Sequence, residues 1–267
     1  MPQCPLPVAV DAMGEAVLAR PRCGRMLSRL GRLLEMLQLP GGLRACLRRP
    51  PSLASHRLVL GMTQVCRELR SVIDGGANVG QFARAAAEAF PGASIYSFEP
   101  LPAVAAIFRR NMANLPQVQL SQSALGSKDG TVAFYPNSYS QSSSVLRQTE
   151  THKRSFSQDR QLAPIEVPVT RLDTFALGKD LAAPILIKLD LQGFELEALK
   201  GGRELLRRTD CVLAETVFEP MYEGEPLFCE ILNFMNESGF AFRMPLSFVR
   251  DERDRIVQMD ALFVRRA

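Results

Sequence analysis

Tryptophan is absent from this chain of 267 residues, histidine occurs twice, and aromatic side chains make up only 7% of it. Surfaces that grip single-stranded nucleic acid stack bases on aromatic rings set among basic side chains. Here the arginines are not interleaved with aromatics, so nucleic acid is not an expected partner. No apolar run reaches the roughly 18 to 20 residues that a membrane-spanning helix needs. The opening MPQCPLPVAVDAM lacks the basic start of a secretory signal and carries Asp11 inside its only apolar stretch, which makes a cytoplasmic protein the expectation. The six cysteines, Cys4, Cys23, Cys46, Cys66, Cys211 and Cys229, include no C-x-x-C pair. That spacing fits neither a zinc site nor a disulfide framework, and reduced, mostly buried thiols are expected. No internal repeat of fixed period is visible.

What is present is enough apolar sequence, 46% of the chain, to bury one sizeable core. Charge is unevenly spread. Residues 1–70 hold eleven arginines and four acids, a net of +7, so the remaining residues carry −3 of the total of +4. The basic character therefore belongs to an N-terminal extension, and the body is slightly acidic. Residues 1–24 are rich in proline and small residues and read as loosely ordered. From Arg25, Met26, Leu27, Leu30, Leu33, Leu34 and Leu37 line one helical face, with Arg25, Arg29 and Arg32 on another, until Pro40-Gly41-Gly42 stops the pattern. Two uses fit such a helix. One is a foot on an anionic membrane surface; the other is packing on the main domain or in a homo-oligomer contact. A second helix is predicted over 54–68.

From residue 70 the rhythm becomes strand then helix. Strands are predicted at 71–74, 93–98, 117–122, 131–135, 165–169, 185–189 and 211–215. Helices fall at 81–90, 101–114, 194–208 and 225–238, and an antiparallel pair closes the chain near 240–243 and 258–264. Strands alternating with helices of this length give a doubly wound, mostly parallel Rossmann-like α/β sheet, with an antiparallel C-terminal strand and an N-terminal helical extension. The boundaries are an extension over 1–69 and an α/β domain over 70–267. Residues 136–163, polar and without period, form a long loop of the kind that often carries function.

The string VIDGGANVG sets Asp74 at a strand end and Gly75, Gly76, Asn78 and Gly80 before a helix. Glycines there let the backbone turn sharply and approach a ligand closely. Glu99, at the end of the next strand, is placed to accept hydrogen bonds from both hydroxyls of an adenosine ribose. A dinucleotide needs a helix N-terminus free to face its pyrophosphate, and a carboxylate at that point is unfavourable. Asp74 at the lip of the loop suits the cationic groups of S-adenosylmethionine instead.

At these residues the chain resembles the FkbM-type methyltransferase family. The resemblance runs through DGGANVGQF, SFEP (97–100), ALG (124–126) with Gly130, the serines 142–144, RLD (171–173), IKLDLQGFELEALKGG (187–202) and AETVFEPMYEGEPLF (214–228), in the family's order. Leu189 and Leu191 stand where Ile and Val are commoner, a volume-conserving change. The resemblance implies O-methylation of hydroxyls on sugars, glycans, glycolipids or related natural products. It also implies that Asp74, Gly76, Asn78 and Gly80 line the methionine part of the donor, Glu99 the ribose, and Ser123, Ala124 and Leu125 the adenine.

A sugar hydroxyl is a poor nucleophile, so a base or a metal ion beside it would help. Asp190, at the end of strand ILIKLD, is placed to orient or deprotonate the acceptor. Alternatively it could ligate a divalent cation such as magnesium together with Glu215 at the end of the neighbouring strand. His152, in the long loop, is the other candidate base. Lys188, inside a buried strand, calls for a carboxylate partner. Glu195 caps the following helix or joins the site. Tyr222 and Glu223 either meet a sugar ring or form a helix-entry turn with Gly224. Two other functions stay open. One is a nucleic-acid methyltransferase, disfavoured because the strand end reads LDLQG rather than a Pro-rich base-holding stretch. The other is an inactive cofactor-binding scaffold.

Overall fold

The computed structural model describes residues 8–10, 16–18, 40, 47, 50, 52–150, 152, 159–251 and 253–266. The predicted helix from Arg25 lies outside them. Within the stretch read as loosely ordered, β1 (Val8–Val10) and β2 (Ala16–Leu18) form an antiparallel pair. Helix α1 (Leu53–Thr63) starts where the Ser52 side chain accepts a hydrogen bond from the Ser55 amide, which satisfies one of the orphan donors of a helix start.

The main sheet has seven strands in the order β11-β12-β10-β9-β3-β4-β5. These are β3 (Ser71–Gly75), β4 (Ser94–Phe98), β5 (Val118–Ser121), β9 (Ile185–Leu189), β10 (Cys211–Val217), β11 (Phe240–Arg250) and β12 (Ile256–Arg265). Every pairing is parallel except those of β12, as expected for an antiparallel C-terminal strand. The closing pair is not an antiparallel edge, however. β12 inserts between β10 and β11, so the edge strand β11 runs parallel to the rest.

Successive strand residues point to opposite faces, and here both faces are apolar. Val72, Leu186, Leu213 and Leu262 enter one core; Ile73, Ile187, Val212 and Phe263 enter the other. Each such side chain contributes roughly 1.5–3 kcal/mol by burial, which is why these strands read as continuous apolar runs. Helices α2 (Gln81–Ala89) and α1 cover the first face, with Val59, Met62 and Phe82 in its core. Helix α3 (Pro102–Met112) adds Phe108 and Met112 to the same core. The other face is covered by α4 (Leu172–Ala176), α5 (Glu195–Lys200), α6 (Arg203–Leu206) and α7 (Phe228–Glu237).

Three differences from expectation lie in tertiary contacts. The single helix expected over 194–208 is broken at Gly201-Gly202, where a Cβ on Gly201 would lie 2.1 Å from the Gly126 carbonyl oxygen. Backbone against backbone at that distance admits only glycine. The strands near 131–135 and 165–169 form a separate three-stranded sheet, β6-β8-β7, from β6 (Ala124–Leu125), β7 (Gly130–Phe134) and β8 (Ile165–Thr170). Finally, two of the thiols expected to be reduced are joined: Cys66 and Cys211, 145 residues apart, form a disulfide inside the first core. Cys229 is a free, exposed thiol. Which cysteines meet depends on the tertiary neighbourhood, and spacing does not encode it.

Candidate active site

The chain begins its main sheet at β3, moves outward through β4 and β5, and returns to place β9 on the other side of β3. The carboxyl ends of β3 and β9 therefore flank the point where strand order reverses, the usual ligand crevice of open α/β sheets. There the loop after β3 carries three left-handed residues, Gly76 (φ 74°), Asn78 (φ 47°) and Gly80 (φ 95°). The amides of Gly76 and Ala77 both donate to the Phe98 carbonyl, at 3.1 and 2.9 Å, which ties the loop to the end of β4. The Asp190 amide donates to the Gly75 carbonyl at 3.2 Å. A Cβ on Gly76 would stand 1.8 Å from the Asp190 carbonyl oxygen.

Asp74 is not at the lip. It is fully buried, its Oδ1 lies 3.3 Å from the Lys188 ammonium, and its Oδ2 accepts from the Ser97 hydroxyl at 3.4 Å. Burial pushes the Asp74 carboxyl up, and Lys188 opposes that push. Lys188 thus has the carboxylate partner it requires, and Asp190 Oδ2 is a second at 3.7 Å. Its Nζ also donates to the carbonyls of Gly75 and Gly76, at 3.2 and 3.3 Å. Burial disfavours the Lys188 charge, but the two aspartates outweigh it and hold the ammonium above the usual lysine range. The pair braces the loop from beneath.

Glu99 stands where expected, at the end of β4. Its Oε2 accepts from the Asn78 amide at 3.1 Å and its Oε1 from the Leu101 amide at 2.9 Å. Burial raises its pKa to about 7 against those two hydrogen bonds. Two backbone donors leave each oxygen a further lone pair. Ser123 and Ala124 follow the end of β5 and are buried beside this group of strand ends. Leu125 packs beneath the loop, 2.9 Å from where a Cβ on Gly75 would stand.

On the other side of the crevice the register sets acids in a row. Glu215 on β10 is opposite Asp260 on β12, which is opposite Ser247 on β11. Asp190 follows Leu189, itself paired with Ala214, and so lies beside Glu215. The Ser247 hydroxyl donates to Asp260 and the Gln258 amide to Glu215. Gln192, left-handed at φ 55°, places its Nε2 2.8 Å from Asp190 Oδ1 and 2.7 Å from Glu215 Oε2. Burial, then the Asp190 charge, raises Glu215 well above the usual carboxylate range, and burial lifts Asp260 to about 6. Asp190 is the open member, its side chain 38% exposed.

The loop after β7 is fastened over this row. Isolated bridges join Tyr135 to Ser144, Asn137 to Gln161 and Gln148 to Tyr222. All three serines are buried and bonded: Ser142 donates to Asp159 at 2.6 Å, Ser143 accepts from the Asn137 amide at 2.9 Å, and Ser144 donates to the Gln192 carbonyl at 2.7 Å. His152 is 3% exposed, with Nε2 2.8 Å from Gln148 Nε2 and 3.5 Å from Asp159, and its ring leans on Tyr222 at 5.2 Å. Burial lowers its pKa, with Asp159 opposing. Tyr222 is buried and cannot offer a ring face to a sugar; its hydroxyl donates to Gln192 Oε1 at 2.8 Å. Tyr222 therefore stands between His152 and the acid row. Gly224 is left-handed (φ 75°), so Glu223-Gly224 is the turn. Glu195 accepts from the Leu191 amide at 2.5 Å, before the helix begins, so it ties the preceding turn rather than capping the helix, and burial raises it to about 8.

Sequence reasoning missed Gln192, Gln258, Asp260 and Ser247. Asp260 had a signal, a lone acid within the apolar run MDALFV. The glutamines had none. Among the described residues, no group of three or more histidine, cysteine, aspartate or glutamate side chains is arranged to hold a metal ion, and no helix is long and apolar enough to cross a membrane.

The chain matches the family described as Methyltransferase FkbM domain over residues 74–242. It is 29% identical over 206 residues to the 2-O-methyltransferase NoeI of Sinorhizobium fredii, covering 74% of this chain and 84% of that protein. It is 32% identical over 183 residues to Methyltransferase 1 of Beauveria bassiana, covering 64% and 72%. Among solved structures, the magnesium protoporphyrin IX methyltransferase (ChlM) of Synechocystis PCC 6803 with bound SAH aligns over 90% of this chain and 95% of that one, at 10% identity and a TM-score of 0.45.

Proposed function

This chain belongs to the FkbM methyltransferase family and is an S-adenosylmethionine-dependent methyltransferase, and from that premise we propose that it methylates a hydroxyl of a sugar, in a glycan, glycolipid or related natural product. The observation that carries the reading is Asp190, a partly exposed carboxylate beside the cofactor loop, flanked by a row of further oxygen acceptors. The 2-O-methyltransferase named among the relatives supports oxygen as the atom methylated. We assign the methyltransferase domain to 70–267 and the extension to 1–69, a reading that the family match over 74–242 supports.

The residues present fit the donor. The left-handed residues Gly76, Asn78 and Gly80 turn the loop after β3 sharply enough to cup a ligand, and Glu99 has acceptor capacity for two ribose hydroxyls. When bound, S-adenosylmethionine supplies a methyl group already activated as a sulfonium. The protein's work is then alignment, exclusion of water and removal of one proton. Asp190 Oδ2 takes the proton of the acceptor hydroxyl, while Glu215 and Asp260 orient neighbouring hydroxyls. His152, separated from the row by Tyr222, supports the loop, which leaves Asp190 as the base.

A divalent cation between Asp190 and Glu215 does not fit the arrangement. The space between the two carboxylates is bridged by the Gln192 amide, a donor that a cation would repel. No step is assigned to a metal.

The test is transfer of tritiated methyl from S-adenosylmethionine to neutral, deoxy- and amino-sugar methyl glycosides, alongside calorimetric binding of S-adenosylhomocysteine. Binding with sugar labelling that disappears in Asp190→Asn is expected. Label on none of these sugars, or full activity in Asp190→Asn, refutes the reading.

A further inference from the structure

Gln192 has a backbone that glycine would adopt more easily, at φ 55°, and is followed by Gly193 at φ 94°. A non-glycine residue held in this region signals a side chain that the surroundings require. Every polar group of that side chain is engaged. Nε2 donates to Asp190 Oδ1 and to Glu215 Oε2, and Oε1 accepts from the Tyr222 hydroxyl. Its main-chain carbonyl accepts from Ser144. The orientation of the amide follows from its neighbours: the Asp190 carboxylate accepts and faces the NH2 end, while the Tyr222 hydroxyl has a proton to give to Oε1.

This arrangement chooses between the two oxygens of Asp190. Oδ1 is occupied by the amide. Oδ2 remains, 3.7 Å from the Lys188 ammonium that braces the cofactor loop. We propose that Gln192 is a positioning residue for methyl transfer: its amide pins Oδ1 of Asp190, presents Oδ2 to the acceptor hydroxyl, and is itself held by Tyr222 and Ser144. The inference rests on the reading that Asp190 meets the acceptor. A continuous polar path then runs from Asp74 through Lys188 and Asp190 to Gln192, and on to the loop that covers the site. A merely structural Gln192 would fasten that loop and nothing more, so the two roles separate experimentally.

The full chain is compared with Gln192→Leu, Gln192→Glu and Tyr222→Phe. Melting temperature, S-adenosylhomocysteine affinity, and kcat and KM on the methyl glycosides above are measured for each. Loss of about 100-fold in kcat is expected for both Gln192 variants, the scale of a misplaced reacting group, with acceptor KM and S-adenosylhomocysteine affinity little changed. Tyr222→Phe, which leaves Ser144 to hold the segment, should lose about tenfold in kcat. A kcat within about twofold of wild type in the Gln192 variants, with Asp190→Asn inactive, overturns the inference and leaves the proposed function standing. Loss of S-adenosylhomocysteine binding in step with melting temperature also overturns it, as the mark of a structural strap. If the Gln192 variants do not fold, an unchanged kcat in Tyr222→Phe overturns it and a selective kcat loss sustains it. Full activity in Asp190→Asn, or no sugar labelled by wild type, defeats the proposed function and the inference with it.

Discussion

Three glycines allow close approach and backbone strain to be measured apart. Gly92 has a right-hand-compatible φ and no atom within 4 Å of a would-be Cβ; Gly178 has φ +70° and equally open surroundings; Gly76 has φ +74° and the Asp190 carbonyl oxygen at 1.8 Å. Gly92→Ala should be neutral or stabilising by about 0.4–1 kcal/mol, because alanine restricts the unfolded chain. Gly178→Ala adds left-handed strain of roughly 1–2 kcal/mol against that same gain, for a net loss of about 1 kcal/mol. Gly76→Ala adds a contact that must open by well over 1 Å to reach an ordinary C···O separation of about 3.3–3.6 Å. Overpacking of that kind costs about 1–3 kcal/mol, and the adjacent Asp190 amide bond to Gly75 adds about 1 kcal/mol if it breaks. The expected order in urea unfolding is therefore Gly92→Ala, Gly178→Ala, Gly76→Ala, the last losing about 3–5 kcal/mol. Only Gly76→Ala should also abolish S-adenosylhomocysteine binding in calorimetry. A Gly76→Ala loss no larger than that of Gly178→Ala would refute close approach as the reason for glycine there.

Lys188→Met should destabilise by about 3–5 kcal/mol, since Asp74 would stay buried without its ammonium; adding Asp74→Asn should restore part of that, read by a double-mutant cycle in urea. Glu99→Gln should weaken S-adenosylhomocysteine by about 10- to 100-fold, because hydrogen bonds to a carboxylate are worth roughly 1.5–3 kcal/mol. With Glu99 raised to about 7 by burial, wild-type affinity should fall as pH is lowered through that value. Stability of the ligand-free protein should move the other way. Glu195 (about 8), Glu225 and Glu99 (about 7) and Asp260 (about 6) bind protons more tightly folded than unfolded. The urea midpoint should therefore drop as pH rises from about 4.5 to 8. His152, lowered by burial, opposes this below its ordinary value of 6.5 but is one group against four. A midpoint that climbs over this range would contradict the burial of these carboxylates.

The frame of the proposed cofactor side was legible because its determinants are local. A strand end, a glycine-bearing turn and an acid one strand later all lie within about thirty residues, and the apolar rhythm around them marks strands buried on both faces. The proposed acceptor side joins residues far apart in the chain. Glu215 meets Gln258 and Asp260 only because β12 slides between β10 and β11, and sequence order does not reveal spatial order. Asp74 was misplaced for a related reason: its partner, Lys188, is 114 residues away, and without that partner a carboxylate before a glycine turn reads as exposed. Gln192 left no trace because its importance lies in a backbone angle and in three neighbours from separate segments. The helix break at Gly201 needed knowledge of Gly126, on the other side of the contact.

The insertion of β12 also bears on the order in which the protein becomes competent during synthesis. Domains fold as units, and although β3, β4, β5 and β9 emerge well before β12, Leu262 and Phe263 of β12 belong to the two cores that cover the sheet. Asp260 arrives on the last strand of the sheet, between two strands already made, and with it the far end of the row of acids. A chain cut short of β12 therefore lacks part of both cores as well as Asp260, and should not hold the sheet together. The final strand is the step at which both faces of the sheet close.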